Sequence, residues 1–130
     1  MKPIPNIARL ALALAVVALP AAAEVRGHHG QLIIHCTPPQ FFDETPGKDA
    51  RVASLQTFSV TASDNTDADT VKLWVNNQPV QPKVTQQRSG SYLIEGSIPA
   101  GATGRVWLKA AADSHEGCDD YRSWFVTVGG

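Results

Sequence analysis

The strongest constraint on this chain is an alternation that runs through residues 105–128. Val106, Leu108, Ala110 and Ala112 are apolar, while Arg105, Trp107, Lys109 and Ala111 occupy the opposite phase. A period of two belongs to a half-buried strand, since an amphipathic helix would repeat at 3.6. A polar loop follows at 113–120, and a second alternating run at 121–128 places Trp124, Val126 and Val128 in one phase. Two such runs around a turn-rich loop predict a β-hairpin.

Upstream, the same period recurs in short pieces. Residues 55–63 set Phe58, Val60 and Ala62 against Ser59, Thr61 and Ser63. Residues 70–75 set Val71, Leu73 and Val75 against Lys72 and Trp74. The stretch 80–86 contains Pro82, which cannot donate to a ladder, so it is predicted as an edge strand. Residues 92–98 carry Tyr92, Ile94 and Ile98 on one face, and a short strand is predicted at 31–36, ended by Pro38-Pro39. Val52 is predicted to open a further pairing. Turn residues separate these runs every eight to twelve positions, and none has a helical period. The pattern predicts an all-β, antiparallel sandwich of about seven strands.

The N-terminal segment reads differently. Lys2 and Arg9 precede ten apolar residues at 10–19, and Pro20 and three alanines follow. That is the pattern of a secretory signal peptide at 1–23, too short to span a bilayer. A flexible leader at 24–30 and one domain at 31–130 complete the predicted organisation. Removing Lys2 and Arg9 moves the formal charge from −1 to −3. No basic surface of the size nucleic acid requires is then available, and no insertion into a membrane is predicted once the signal is cleaved.

The cysteine count is two, Cys36 and Cys118. In an exported protein an even count favours a disulfide over free thiols. Closing a loop of about eighty residues stabilises by roughly 4 kcal/mol in the chain-entropy account.

Several stretches resemble bacterial immunoglobulin-like modules. They are Pro38-Pro39, Glu44-Thr45-Pro46-Gly47, Val52, residues 58–64 ending in Ala-Ser-Asp, residues 71–76 running into Val-Asn, Ala111 to Gly117, and Phe125 to Val128. The resemblance implies an immunoglobulin-like fold and leaves function open, because such modules serve adhesion, scaffolding, transport and enzyme assembly. The cysteine pair and the strand at 31–36 depart from the usual module and suggest a stand-alone domain.

Under that topology the loops at 64–69 and 113–120 share one end. Asp64, Asp67, Asp69, Asp113, Glu116, Asp119 and Asp120 would gather there, as calcium ligands or simply as turn formers. A copper or zinc site would draw on His35, His115 and Asp113 with His28 and His29 of the leader. Asp113-Ser114-His115 is similar to the Asp-x-His element of immunoglobulin-like periplasmic copper carriers. Their methionine-rich segments have no counterpart here, where Met1 is the single methionine. No nucleophile, base and orienting group can be assigned mutual roles, so a non-catalytic protein is predicted.

The remaining anomaly is aromatic. Trp74 stands beside Lys72, and Trp107 stands between Arg105 and Lys109, all in the polar phase. With Phe125 they form an exposed strip fringed by Lys72, Arg105, Lys109 and Arg122, the kind of surface that takes a protein partner or a carbohydrate. A register slip of one residue would bury these rings instead.

Overall fold

The computed structural model describes residues 35–129, and all structural statements concern these. The predicted signal peptide, the leader and most of the predicted strand at 31–36 lie outside them. No helix among the described residues is long and apolar enough to cross a membrane.

Nine strands form two sheets. The strands are β1 (Phe41–Thr45), β2 (Arg51–Val52), β3 (Thr57–Ala62), β4 (Lys72–Val75), β5 (Gln78–Val80), β6 (Lys83–Gln86), β7 (Tyr92–Ser97), β8 (Gly104–Asp113) and β9 (Asp119–Val128). One sheet has the order β1-β3-β7-β6, and the other β2-β9-β8-β4-β5. The chain is an immunoglobulin-like β-sandwich with one disulfide, Cys36–Cys118. A single 3₁₀ turn at Ala68–Thr70 leads into β4.

The alternation places the core as the sequence predicts. Phe58, Val60 and Ala62 of β3 face Val106, Leu108, Ala110, Trp124 and Val126 of β8 and β9, with Leu73, Val75 and Ile94 between them, all buried. Trp124 is 3% exposed. It meets the Phe58 ring edge-on at 6.2 Å between centroids, and its Nε1–H donates to the Pro46 carbonyl at 2.9 Å. Gly96 on β7 lies against Leu73 of the opposite sheet and its neighbour Phe58. A Cβ there would lie 2.8 Å from both Leu73 Cδ1 and Phe58 Cε1, so no side chain fits.

Four details add to or correct the sequence reading. Of the predicted strand at 31–36, His35 and Cys36 are described and are not in a strand, and the edge beside β3 is β1, where no strand is predicted. It lacks alternation because its register shifts between Phe42 and Thr45, with Asp43 at a φ of 56°. The stretch 80–86 is two edge strands, not one. β5 pairs with β4, β6 pairs with β7, and the chain changes sheets at Gln81-Pro82, where proline removes a ladder donor. The turn feeding β5 is two residues long, with Asn76 and Asn77 both at positive φ, the conformation that matches hairpin twist. Arg122 does not join the outer fringe. It pairs with Ala110 on the inward phase and reaches the open side of the sandwich, where its guanidinium donates to the Glu44 carboxylate and to the Phe41 carbonyl.

Candidate functional site

Two regions carry the residues singled out by the sequence. The first is the end of the sandwich stapled by the disulfide. Cys36 and Cys118 lie 6.0 Å apart at Cα, so the segment entering β1 is tied to the loop between β8 and β9. Hydrogen bonds reinforce the tie. Thr37 N–H donates to Glu116 Oε1 at 2.9 Å. Asn65 Nδ2 donates to the Thr37 and Pro38 carbonyls at 3.0 and 3.3 Å. His115 N–H donates to the Asn65 carbonyl at 2.9 Å, and Asp67 N–H to the Asp113 carbonyl at 2.8 Å. The two acidic loops therefore meet, as the topology predicts.

The side chains at that end do not converge on one point. Among the described residues, no three His, Cys, Asp or Glu side chains are placed to hold a metal ion. The seven-carboxylate calcium set is not assembled, and three of its acids are engaged elsewhere. Asp67 accepts from Asp69 N–H, Asp120 from its neighbour Tyr121 N–H, and Glu116 from Thr37 N–H. His35 and His115 are exposed. His28 and His29 lie outside the described residues.

The second region is the outer face of the five-stranded sheet. Register decides its membership. Trp107 pairs with Phe125, Trp74 with Lys109, and Ala111 with Tyr121 and Lys72, so Lys72, Trp74, Arg105, Trp107, Lys109, Tyr121 and Phe125 share one side. The rings of Trp107 and Phe125 stack at 6.4 Å and 28°. The Arg105 guanidinium lies 4.1 Å from the centroid of Phe125. Lys109 Nζ sits 5.1 Å from the Trp74 ring and 4.8 Å from the Tyr121 ring. Phe125 is 37% exposed and Tyr121 59%. Trp74 and Trp107 are half-buried by these neighbours. Tyr121 and Arg51 are additions to the predicted strip. Tyr121 is in phase with Phe125 and was legible. Arg51 arrives through the parallel pairing of β2 with β9, which no local pattern announces.

Known proteins place this architecture. CopC from Methylosinus trichosporium OB3b shares the fold at a TM-score of 0.56 and 15% identity, over 69% of this chain and 92% of that one. PcoC, a methionine rich copper resistance protein from Escherichia coli, shares it at a TM-score of 0.50 and 20% identity, over 71% of this chain and 99% of that one. No protein-family model matches the chain, and no curated protein matches it. At such identities the likeness establishes the fold alone. Against that shared frame, the stacked rings and cations on the outer face are described from this chain's own residues.

Chemically, the outer face presents aromatic area and four cations. A recess of about 290 Å³ on it is lined by Asp49, Arg51, Arg105, Phe125 and Thr127. A larger cleft of about 410 Å³ at the disulfide end is lined by Thr37, Pro38, Gln40, Ser63, Asn65 and Glu116 among others.

Proposed function

We propose that the chain is an exported, non-catalytic immunoglobulin-like binding module that takes a protein partner on the outer face of its five-stranded sheet. The observation that carries this reading is the ladder of Trp74, Trp107, Tyr121 and Phe125 interleaved with Arg105 and Lys109. Tryptophan, tyrosine and arginine are the residue types that concentrate binding energy at protein interfaces. β8 and β9 run ten residues each, and β4, β5 and β2 hold four, three and two. At strand rise and spacing these cover roughly 450 Å², a little over half of one side of a standard interface.

A photo-crosslinking amino acid at position 107, expressed in the native host, is expected to trap a defined partner. The same group at Thr85, an exposed position on the opposite sheet, is expected to trap none. Trp74→Ala should abolish capture at position 107, and Trp74→Ala and Trp107→Ala should each lower stability by only about 1 kcal/mol, because both rings keep solvent contact. Equal adducts at both positions, or a collapse of the fold in either alanine variant, would overturn the assignment.

One observation favours a second reading, copper or zinc handling. PcoC is a copper resistance protein that this fold matches along nearly its whole length. With Met1 as the single methionine, metal here would rest on imidazole and carboxylate, namely His115 and Asp113 with His28, His29 or His35. Calorimetric titration with Cu²⁺ and with Zn²⁺ is expected to give one site tighter than micromolar, weakened at least tenfold in His115→Ala. That loss is about 1.4 kcal/mol or more. Binding weaker than micromolar, or binding indifferent to His115, ends this reading and leaves the sheet face untouched.

A further inference from the structure

The outer face is also electrically one-sided. At its outward register positions lie Arg51, Lys72, Arg105 and Lys109. Asp49 lines the recess with Arg51 and Arg105, and Asp113 and Asp119 oppose one another at the far end of the β8–β9 hairpin. None of the four cations forms a salt bridge among the described residues, where the ion pair present is Arg122 with Glu44. Four cations therefore share one sheet face without a salt bridge among the described residues, on a chain whose formal charge is −1.

The aromatic rings sharpen this. An aromatic ring is negative on its face and positive at its edge. Here Arg105 lies over the Phe125 ring, which Trp107 also stacks against, and Lys109 lies over both the Trp74 and the Tyr121 ring. The cationic heads and the ring edges both attract anions.

Resting on the protein-binding reading above, we infer that this face takes an acidic protein surface, whose carboxylates meet Arg51, Lys72, Arg105 and Lys109 between the rings. The charge steers the encounter and sets its salt dependence, and the aromatic area supplies the contact. A protein is favoured over an acidic glycan because the four cations are spread over three strands, β2, β4 and β8, and the recess between Arg51 and Arg105 already holds the Asp49 carboxylate.

The test uses the purified chain on surfaces of poly-L-glutamate and, in parallel, of polygalacturonate. Poly-L-glutamate is expected to bind at low salt and to weaken steadily as salt rises. Arg105→Gln with Lys109→Gln should weaken that binding by about tenfold or more. The equal charge change Lys83→Gln with Arg88→Gln, away from this face, should alter it by less than about twofold. Circular dichroism melts of both double variants confirm that the fold is kept, and Lys72→Gln with Arg51→Gln replaces the first pair if it is not. Absence of binding to poly-L-glutamate, or equal loss in the two double variants, overturns the inference. Tighter binding to polygalacturonate overturns it in favour of an acidic glycan. If the crosslinker at position 107 traps a partner whose contact surface has no excess of acid, the binding reading stands and this inference alone falls.

Discussion

Trp124→Ala is expected to remove about 3–5 kcal/mol of stability, the range found when a buried large aromatic is cut to a methyl group. Three observations place this residue at the high end of what one substitution can do. Its ring is 3% exposed. It fills the space between the sheets against Phe58. Its indole N–H is committed to the Pro46 carbonyl, which fixes the turn after β1. The hydrogen bond is the smaller part, about 1 kcal/mol, because Pro46 is only partly buried and water can replace the donor. Trp124→Phe separates the two contributions, keeping most of the volume and losing the N–H, and is expected to cost about 1–2 kcal/mol. A domain of this size holds roughly 5–15 kcal/mol in total, so Trp124→Ala leaves it marginal or unfolded. Urea unfolding followed by far-ultraviolet circular dichroism measures the difference. A loss below about 1 kcal/mol would mean that the cavity collapses freely and that the core is not organised around this ring. The contrast with Trp107→Ala is the informative part. Two tryptophans seventeen positions apart in the sequence have opposite roles because they fall on opposite phases of paired strands, Trp107 against Phe125 and Trp124 against Leu108.

That phase was legible in the sequence. β8 alternates from Val106 to Asp113 and β9 from Trp124 to Val128, so inner and outer sets there follow directly from a period of two. The same logic gave Phe58, Val60 and Ala62 on β3 and Leu73 and Val75 on β4. It failed where the backbone departs from regular pleating. β1 carries a register shift and a residue at positive φ, so Phe41 and Phe42 show no period to read. Arg122 was misplaced for a different reason. Charge suggested an outer position, but its partners, Glu44 and the Phe41 carbonyl, are about eighty residues away in the chain and only the sandwich brings them to it. The candidate face divides in the same way. Its rings were readable one strand at a time. The pairing of Lys109 with both Trp74 and Tyr121 depends on β8 lying between β4 and β9, an order in which β4 is not consecutive with its neighbour. The acidic loops show the reverse. Their meeting was predicted from topology, yet Asp67 and Asp120 bond amides one or two residues away, a local turn chemistry, while Glu116 holds Thr37 across the disulfide end.

Replacing Cys36 and Cys118 together with serine is expected to lower stability by about 2–4 kcal/mol. The bridge joins positions separated by 82 residues, nearly the whole domain, so the chain-entropy account assigns it about 4 kcal/mol through restriction of the unfolded state. The native state returns part of this when the bridge is removed. Residues 36–40 are not in a strand, and they are held to the loops by Thr37 to Glu116, Asn65 to the Thr37 and Pro38 carbonyls, and Gln40 with Ser63. Without the sulfur link that segment can undock by itself while β1 stays paired to β3, and the freedom it gains offsets some of the freedom gained by the unfolded chain. The melting temperature should fall by roughly 10–25 °C for a domain of this length. The urea m-value should rise, since an unbridged unfolded chain exposes more surface. Hydrogen exchange reads the local part separately. Thr37 and His115 amides should lose protection in the double variant while Val106 and Leu108, whose side chains are fully buried on β8, keep theirs. Because the outer face lies on β4, β8 and β9 and does not depend on residues 36–40, capture at position 107 should survive the substitution under conditions where the domain stays folded. A variant that lost less than about 1 kcal/mol would show that the docked segment alone holds this end together. One that lost crosslinking while still folded would show that the disulfide end and the sheet face are coupled, through the loop that joins β8 to β9.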